Sequence, residues 1–298
     1  MCGAESGRWL TAALVDTGIH FQDDEFAVAL RLRLELDVHV RSRCGRTNAA
    51  GTKVCCEPLD KSGRHALTCK LGGLQTRIHD ACCLRIWQAA KETGAAALRE
   101  QVIPALQSAS RREPRIDVEV WGMCGVPYSL HDFTICTPTA SRYQGDEPGA
   151  VPHAAEARKR REYPKAAGLA VEGMAINIYG ILGPALKDTL MAWADRARLQ
   201  DISRGRAPRQ WFRFWCAQLS AEVTVGAARM IITSDRQAPV RTAVHPPSGE
   251  AAWRVCMQHA QRVQDGRPCA DLAKQPPGGD HLHQAAFSSR RNVQPPVT

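Results

Sequence analysis

The sequence contains no run of about 18 apolar residues, the length that a helix needs to cross a membrane. It also lacks a convincing secretion signal, because the apolar stretch after Trp9 is short and has acidic residues around it. Aromatic residues make up only 6% of the 298 residues. We therefore expect no transmembrane helix and no export signal, and a core built mainly from aliphatic side chains and alanine.

Acidic residues are the minority charge: 39 Lys and Arg stand against 30 Asp and Glu, which gives a formal charge of +9. A basic balance favours a polyanionic partner, either nucleic acid or an acidic membrane surface. The chain has 12 cysteines. Without a secretion signal, we expect these thiols to bind metal or lie in the core rather than form disulfides. Five lie among apolar residues and are predicted to be buried: Cys82, Cys83, Cys124, Cys136 and Cys216.

Hydrophobic periodicity assigns secondary structure to most of the first 235 residues. It predicts helices over 24–38, 75–92, 153–163 and 183–199, the first capped by Asp23 or Asp24. It predicts strands over 98–106, 115–122, 131–137 and 170–180, with a hairpin through Gly125, Pro127 and Ser129. Residues 207–234 are predicted to form an amphipathic helix pair or one broken helix. This order predicts an α/β fold, in which a mixed sheet carries helices on its faces.

Shifts in composition mark five segments along the chain. We expect a helical lead-in at 1–40, a Cys- and His-containing segment at 41–73, an α/β core at 74–200, helices at 201–235 and a tail at 236–298. The second segment has no sustained period and could not build an apolar core of its own. The tail is dominated by Pro, Gly, Gln, His, Ser and Arg, so it is predicted to be mostly disordered.

Two acidic residues occupy the predicted hairpin, one in each strand. Asp117 and Asp132 are 15 residues apart across the turn, and cross-strand neighbours can bring their side chains within about 5 Å. Paired carboxylates are the hard oxygen ligands that Mg²⁺ or Mn²⁺ prefers, and such an ion can activate water against a phosphodiester. The alternative is that both residues cap turns on the surface.

A cation beside the acid pair would orient the attacking water or stabilise developing charge. The position two residues after the second acid holds Thr134, which carries no charge. The candidate is therefore Lys159 in the predicted basic helix. Glu100, in the first predicted strand, is a candidate third carboxylate.

A cluster of zinc-ligand residues falls within 26 residues: Cys44, Cys55, Cys56, His65 and Cys69. Structural zinc sites use four Cys or His ligands in a tetrahedron. His65 and Cys69 form one closely spaced pair, and Cys44 with either Cys55 or Cys56 would complete the set. We rank Cys55 above Cys56. The alternative is a degenerate site that holds reduced thiols.

The stretch RKRREYPK, residues 158–165, holds most of the local positive charge. Arg158, Arg160, Arg161 and Lys165 are predicted to contact phosphates, which would make the affinity for nucleic acid fall with salt. The alternative is a solvated helix face without a partner.

Several motifs, in one order, resemble the C-terminal region of site-specific non-LTR retrotransposon polyproteins, over about residues 24–234. They are ALRLRLEL, DKSGRHALTCKLGG, RIHDACC, LREQVIP, PRIDVEV, HDFTICTPTASRY, AAEARKRREY and YGILGPAL. That family places a Cys/His zinc knuckle and a restriction-like PD-(D/E)XK endonuclease after a reverse transcriptase. Ile116 stands where the family has Pro, Asp80 where it has Asn, and Glu162 where it has a second Lys.

The resemblance implies a restriction-endonuclease-like fold and a metal-dependent endonuclease that nicks target DNA. By position, it implies that Asp117 and Asp132 bind Mg²⁺, that Lys159 is the catalytic cation and that Glu100 is an accessory acid. Arg77 and His79 would contact DNA or the edge of the active site. The resemblance implies that the partner is DNA, with RNA as a further candidate, and that the protein acts in the nucleus. It implies no membrane partner and no small-molecule cofactor.

Two alternatives to an active endonuclease fit the same residues. One is a nucleic-acid-binding remnant that keeps the nuclease-like fold and the zinc knuckle but does not cut. The other is a translated remnant without function. The direction in which Lys159 points separates cutting from binding alone.

Overall fold

Four strands form one mixed sheet in the computed structural model. They are β1 (Ala96–Val102), β2 (Arg115–Met123), β3 (Val126–Cys136) and β4 (Val171–Asn177). The sheet order is β1-β2-β3-β4, with antiparallel pairing between the first three strands and parallel pairing between β3 and β4. A parallel neighbour requires a crossover, and a helix supplies it here.

The described helices include all those predicted, in the predicted order, and two further helices of four and five residues that were not predicted. They are α1 (Arg8–Thr11), α2 (Asp23–Arg33), α3 (Arg64–Thr68), α4 (Leu74–Glu92), α5 (Val151–Glu162), α6 (Pro184–Leu199) and α7 (Pro208–Arg236). The crossover helix is α5. The α/β class and the mixed sheet flanked by helices are confirmed.

The structure describes residues 7–11, 18–38, 42–107, 113–123, 126–143, 145–147, 149–163, 169–199 and 206–236. The predicted tail lies outside these residues except for Arg236, and so do Lys165 and Cys124. Within the described ranges, no helix has both the length and the apolar character needed to span a membrane.

The two faces of the sheet pack against different helices. On one face, Phe133, Met174 and Ile176 join a large apolar cluster with residues of α4, α6 and α7. On the other face, Leu130 packs with Tyr163, which follows α5, and Ala175 packs with Ala155 of α5. Strand residues alternate between faces, so neighbours on β3 belong to different layers. Four of the cysteines predicted to be buried are buried: Cys82, Cys83, Cys136 and Cys216.

A single continuous helix of 29 residues, α7, replaces the predicted helix pair or broken helix. Its one internal glycine, Gly226, does not break it, because α4 packs tightly there: a Cβ on Gly226 would lie 2.5 Å from Cγ1 of Ile78. Buried residues on several sides of α7 contact neighbouring helices, which explains why no clean amphipathic period predicted its length.

Several predicted element boundaries differ from the structure: the helix predicted over 24–38 ends at Arg33, and the strand predicted over 170–180 ends at Asn177. Strand β3 begins at Val126, so Pro127 and Ser129 lie in the strand rather than in the turn. Strand β1 ends at Val102, and residues 104–106 form a 3₁₀ turn. Helix α2 is capped by Gln22, in a capping box with Glu25, rather than by either aspartate.

Candidate functional site

The predicted acid pair lies where the pairing between β2 and β3 ends. The ladder runs from Met123 opposite Val126 to Val118 opposite His131, and one further step places Asp117 opposite Asp132. At that step the backbone N–H of Phe133 donates to Oδ2 of Asp117 at 2.7 Å instead of to a backbone carbonyl of β2. The side chain of Asp117 therefore occupies the opening of the ladder, where it interacts directly with Asp132.

Two side chains from the crossover converge on Asp132. Nζ of Lys159 lies 2.9 Å from Oδ2 of Asp132, and the hydroxyl of Tyr163 donates to the same oxygen at 2.6 Å. The side chain of Asp132 is only 5% exposed and that of Lys159 only 16% exposed. An ion pair this deeply buried is weakly screened by solvent. The structure therefore brings together Asp117, Asp132 and Lys159.

The two carboxyl groups have different electrostatic surroundings. Burial raises the pKa of Asp132, and the charge of Asp117 adds to that rise, while Lys159 and Tyr163 oppose it. Burial also acts to raise the pKa of Asp117, but hydrogen bonds from His79 and the Phe133 amide outweigh it and hold that pKa low. Of the two carboxyl groups, Asp132 is therefore the one that takes up a proton more readily.

His79 lies at the edge of the acid pair. Its Nε2 is 3.3 Å from Oδ2 of Asp117 and 3.2 Å from the carbonyl oxygen of Phe133. Burial acts to lower the pKa of His79, but its hydrogen bonds to Asp117 and Cys83 outweigh burial and raise that pKa to about 12. The imidazole is therefore positioned as a cation beside Asp117.

Close packing of α5 on β4 holds Lys159 against the sheet. In the parallel register Gly173 pairs with Asp132. A Cβ on Gly173 would lie 2.8 Å from Cβ of Lys159 and 2.5 Å from the carbonyl oxygen of Glu156. The buried Glu156 carboxylate accepts hydrogen bonds from the backbone of Ala175 and from Leu186 in the first turn of α6. These contacts tie α5 to both neighbours and fix the position of its basic face.

Glu100 is not brought to the acid pair. Its backbone has a φ of 53°, in the left-handed region, and its side chain is exposed. The carboxylate pairs with Arg115 at 3.1 Å and with Arg99 at 3.7 Å. Among the described residues, it makes no hydrogen bond or ion pair with either aspartate.

The predicted nucleic-acid contacts have mixed surroundings. Arg158 pairs with Glu162, and Arg160 pairs with Glu172 at 3.0 Å, so both have acidic neighbours. Arg161 and Arg77 are exposed, the latter at the start of α4. Lys165 lies outside the described residues.

A solvent-open groove of about 380 Å³ runs beside His79. It separates α3 and the start of α4 from the end of β3 and from α5. Its polar lining includes Thr68, Lys70, His79, Thr134, Arg142 and Arg158. Lys70 and Arg142 are exposed there, so the groove carries positive charge toward the acid pair.

Four predicted zinc ligands meet in a second cluster. The donor atoms of Cys44, Cys55, His65 and Cys69 all lie within 4.8 Å of one another. Sγ of Cys69 is 4.0 Å from that of Cys44 and 3.7 Å from that of Cys55, and Nε2 of His65 is 3.3 Å from Sγ of Cys55. Bonds of about 2.3 Å to sulfur and 2.0 Å to nitrogen in a tetrahedron require ligand separations of roughly 3.5–3.8 Å. The donor set and its spacing fit zinc.

The surroundings of this cluster also fit zinc. The Asp60 carboxylate accepts the backbone N–H groups of Arg64 and His65 at 2.9 Å, which orients the start of α3. Arg46 is 1% exposed and donates to the carbonyl oxygens of Cys69 and of Met230 in α7. Three thiolates, one imidazole and Zn²⁺ carry a net charge of −1, which the guanidinium balances.

Cys55 and Cys56 are separated clearly by their positions. Cys55 belongs to the cluster, whereas Cys56 is exposed, with a φ of 58°.

Sequence reasoning did not assign a role to Tyr163, Gly173, Glu156, Arg46, Lys70 or Arg142. Tyr163 was within reach of the sequence reasoning, because the predicted helix over 153–163 sets it four residues after Lys159, one helical turn away.

Comparisons with protein-family models, curated proteins and solved structures give no match to this chain. Its proposed function therefore depends on the geometry of the site and on the resemblance of its motifs.

Proposed function

We propose that this chain is a metal-dependent DNA endonuclease with a restriction-like core and a zinc knuckle, similar to the corresponding region of non-LTR retrotransposon polyproteins. One observation carries the proposal: the carboxyl groups of Asp117 and Asp132 interact just beyond the end of the β2–β3 ladder, and Nζ of Lys159 lies 2.9 Å from Asp132. A DNA substrate would make the nucleus its place of action.

The oxygen donors of the acid pair suit Mg²⁺ or Mn²⁺. Asp117 and Asp132 would hold the ion, because hard divalent cations prefer carboxylate and carbonyl oxygens. When bound, such an ion polarises a phosphate oxygen and lowers the pKa of a water. The raised pKa of Asp132 fits this role, because two adjacent carboxylates ionise together readily only when a cation compensates them.

Lys159 and Tyr163 would complete the catalytic arrangement. The ammonium group of Lys159 lies beside the acid pair, where it can orient an attacking water and stabilise negative charge that develops on the phosphate. Tyr163 holds the same oxygen of Asp132 that Lys159 contacts, and so fixes the orientation of the carboxylate. Both groups are preorganised by the packing of α5 and the residue that follows it.

The basic groove supports a nucleic-acid substrate. Lys70 and Arg142 line it, and it leads from the zinc knuckle toward His79. Contacts of this kind bind the phosphate backbone without reading sequence. The knuckle would fix α3 at one wall, because a bound zinc ion stabilises a segment with little core of its own.

The alternative of binding without cleavage is disfavoured by the direction of Lys159. A solvated lysine would have favoured it, whereas Nζ of Lys159 is buried against Asp132. The departure at Glu162 does not remove the cation from the site. The Glu162 carboxylate pairs with Arg158 and lies 3.9 Å from Nζ of Lys159.

A plasmid-nicking assay tests the proposal. We expect conversion of supercoiled to open circular DNA with Mg²⁺ or Mn²⁺ and none with EDTA. Lys159→Met should reduce the rate by roughly 100-fold or more, since one charge-stabilising donor contributes about that much, while DNA binding persists. Lys91→Met is the matched control, because Lys91 is exposed at the end of α4. Equal nicking by the wild type and the Lys159 variant would refute the assignment.

A further inference from the structure

His79, Cys83 and Asp117 bring three kinds of metal-ligating atom together at the edge of the acid pair. Their donor atoms all lie within 4.8 Å of one another. Nε2 of His79 is 3.3 Å from Oδ2 of Asp117 and 3.8 Å from Sγ of Cys83. Tetrahedral zinc, with bonds of about 2.0 Å to N and O and 2.3 Å to S, separates such ligands by roughly 3.3–3.6 Å. The observed separations are close to those values.

Regular secondary structure carries all three residues of this cluster: α4 holds His79 and Cys83, and β2 holds Asp117. His79 and Cys83 are four residues apart in the middle of α4, so one helix face presents both. Asp117 is held in place by the amide of Phe133. The side chain of His79 is 29% exposed and lines the basic groove, which gives an ion a route to the cluster.

The geometry points to a second zinc site formed by His79, Cys83 and Asp117, separate from the Cys44, Cys55, His65 and Cys69 cluster. Three protein ligands plus a water make a common open zinc site, and a thiol with an imidazole selects zinc over Mg²⁺. The protons of the Cys83 thiol and of the imidazole pass to solvent when the ion binds.

Zinc at this site competes with the proposed magnesium site, because both need Asp117. Occupation by zinc therefore stops cleavage while the knuckle zinc preserves the fold. This consequence rests on the proposed endonuclease function, whereas the metal site itself does not.

Counting zinc on the full chain tests the site directly. Cys82 and Cys83 offer a matched pair, since both are buried on α4 but only Cys83 belongs to the cluster. After equilibration with excess zinc and removal of free metal, we expect the wild type and Cys82→Ser to retain one zinc ion more per chain than Cys83→Ser. Equal zinc content in all three proteins would overturn the site.

Cobalt gives a second readout, which remains informative if the Cys83 variant folds poorly. Titration of the metal-free wild type with Co²⁺ should show thiolate-to-cobalt absorption in two steps. The first step reports the knuckle, and the second, smaller step reports a single thiolate. A wild-type titration that ends after one step would contradict the proposal without reference to any variant.

The inhibitory role is tested by adding zinc to the nicking assay at fixed Mg²⁺. We expect stoichiometric zinc beyond the first equivalent to reduce nicking by wild type and Cys82→Ser at least tenfold, and to leave Cys83→Ser active. Equal inhibition of all three proteins would overturn this role. If no protein nicks DNA, the endonuclease proposal fails, and the zinc count alone decides whether the second site exists.

Discussion

Gly173 on β4 and Lys159 on α5 are packed so closely that any side chain at position 173 would displace the lysine. A Cβ on Gly173 would lie 2.8 Å from Cβ of Lys159, well inside normal van der Waals contact. Because Gly173 neighbours Asp132 in the sheet, this gap in the side-chain layer lets Lys159 cross β4 and reach the carboxylate.

Gly173→Ala should therefore impair cleavage more than folding. Overpacking of this kind costs about 1–3 kcal/mol of stability, whereas a catalytic group misplaced by about 1 Å can cost 100-fold in rate. We expect nicking to fall roughly 10- to 100-fold, with the chain still folded by circular dichroism. Gly149→Ala is the control, since nothing lies within 4 Å of its Cβ position. Full activity of the Gly173 variant would mean that the position of α5 does not govern the site.

Cys55 and Cys56 provide a matched test of the zinc knuckle. Cys55→Ser removes a ligand, so we expect it to lose the knuckle zinc and to lower the thermal midpoint by several degrees, because bound metal contributes to folding free energy. Cys56→Ser should keep the knuckle zinc and the wild-type thermal midpoint, because Cys56 is exposed and outside the cluster. The measurement is thermal unfolding with and without one equivalent of zinc. If the Cys56 variant were the one to lose zinc, the ligand assignment would be wrong.

Because His131 is buried, we expect the folded protein to lose stability in mild acid. Burial lowers its pKa to about 4 from the usual 6.5, and its ring packs against Trp193 on the face opposite Asp132. The unfolded chain therefore binds a proton below pH 6.5 that the folded chain refuses until about pH 4. The free energy of unfolding should fall by up to about 1.4 kcal/mol per pH unit within that window, and should be unaffected by this residue above it.

Urea unfolding at several pH values from 7 to 4.5 measures this effect. His131→Leu should be less sensitive to acid than the wild type. His153→Leu, which removes an exposed histidine, should match the wild type. Parallel pH curves for the wild type and the His131 variant would show that the histidine is not kept neutral by burial.

The groove predicts a measurable salt effect. Each phosphate contact that is removed lowers the slope of log affinity against log salt by about 1. Lys70→Ala and Arg142→Ala should therefore each weaken duplex DNA binding and reduce that slope, whereas Arg209→Ala, on α7 away from the groove, should not. Fluorescence anisotropy at salt concentrations from about 50 to about 300 mM gives the slopes. Unchanged slopes for both groove variants would place the nucleic acid elsewhere.

Local pattern was sufficient to predict the order of the elements around the sheet. Enrichment in Val, Ile and Phe indicates a strand, and a regular apolar face indicates a helix. The pattern failed where tertiary packing replaces it. Pro127 and Ser129 indicate a turn by composition but lie in β3, and α7 is buried on several sides, so its period is weak.

The candidate site was predictable in part for the same reason. Two acids in adjacent strands can come close, and the register of β2 and β3 sets Asp117 and Asp132 side by side. Glu100 does not join the acid pair, because its backbone lies in the left-handed region and its carboxylate pairs with Arg115. The link from Arg46 to Met230 spans 184 residues, and no local pattern could predict it. The role of Gly173 could not be predicted from the sequence either, because it depends on the packing of α5 against β4.

Asp132→Asn tests the central claim most directly, because it keeps the size of the side chain and removes only its charge. Asp188→Asn, on the exposed face of α6, is the matched control. In a Mg²⁺-dependent plasmid-nicking assay with folded, DNA-binding proteins, we expect the Asp132 variant to lose at least about 100-fold in rate and the Asp188 variant to match the wild type. Nicking by the Asp132 variant at the wild-type rate would contradict the account.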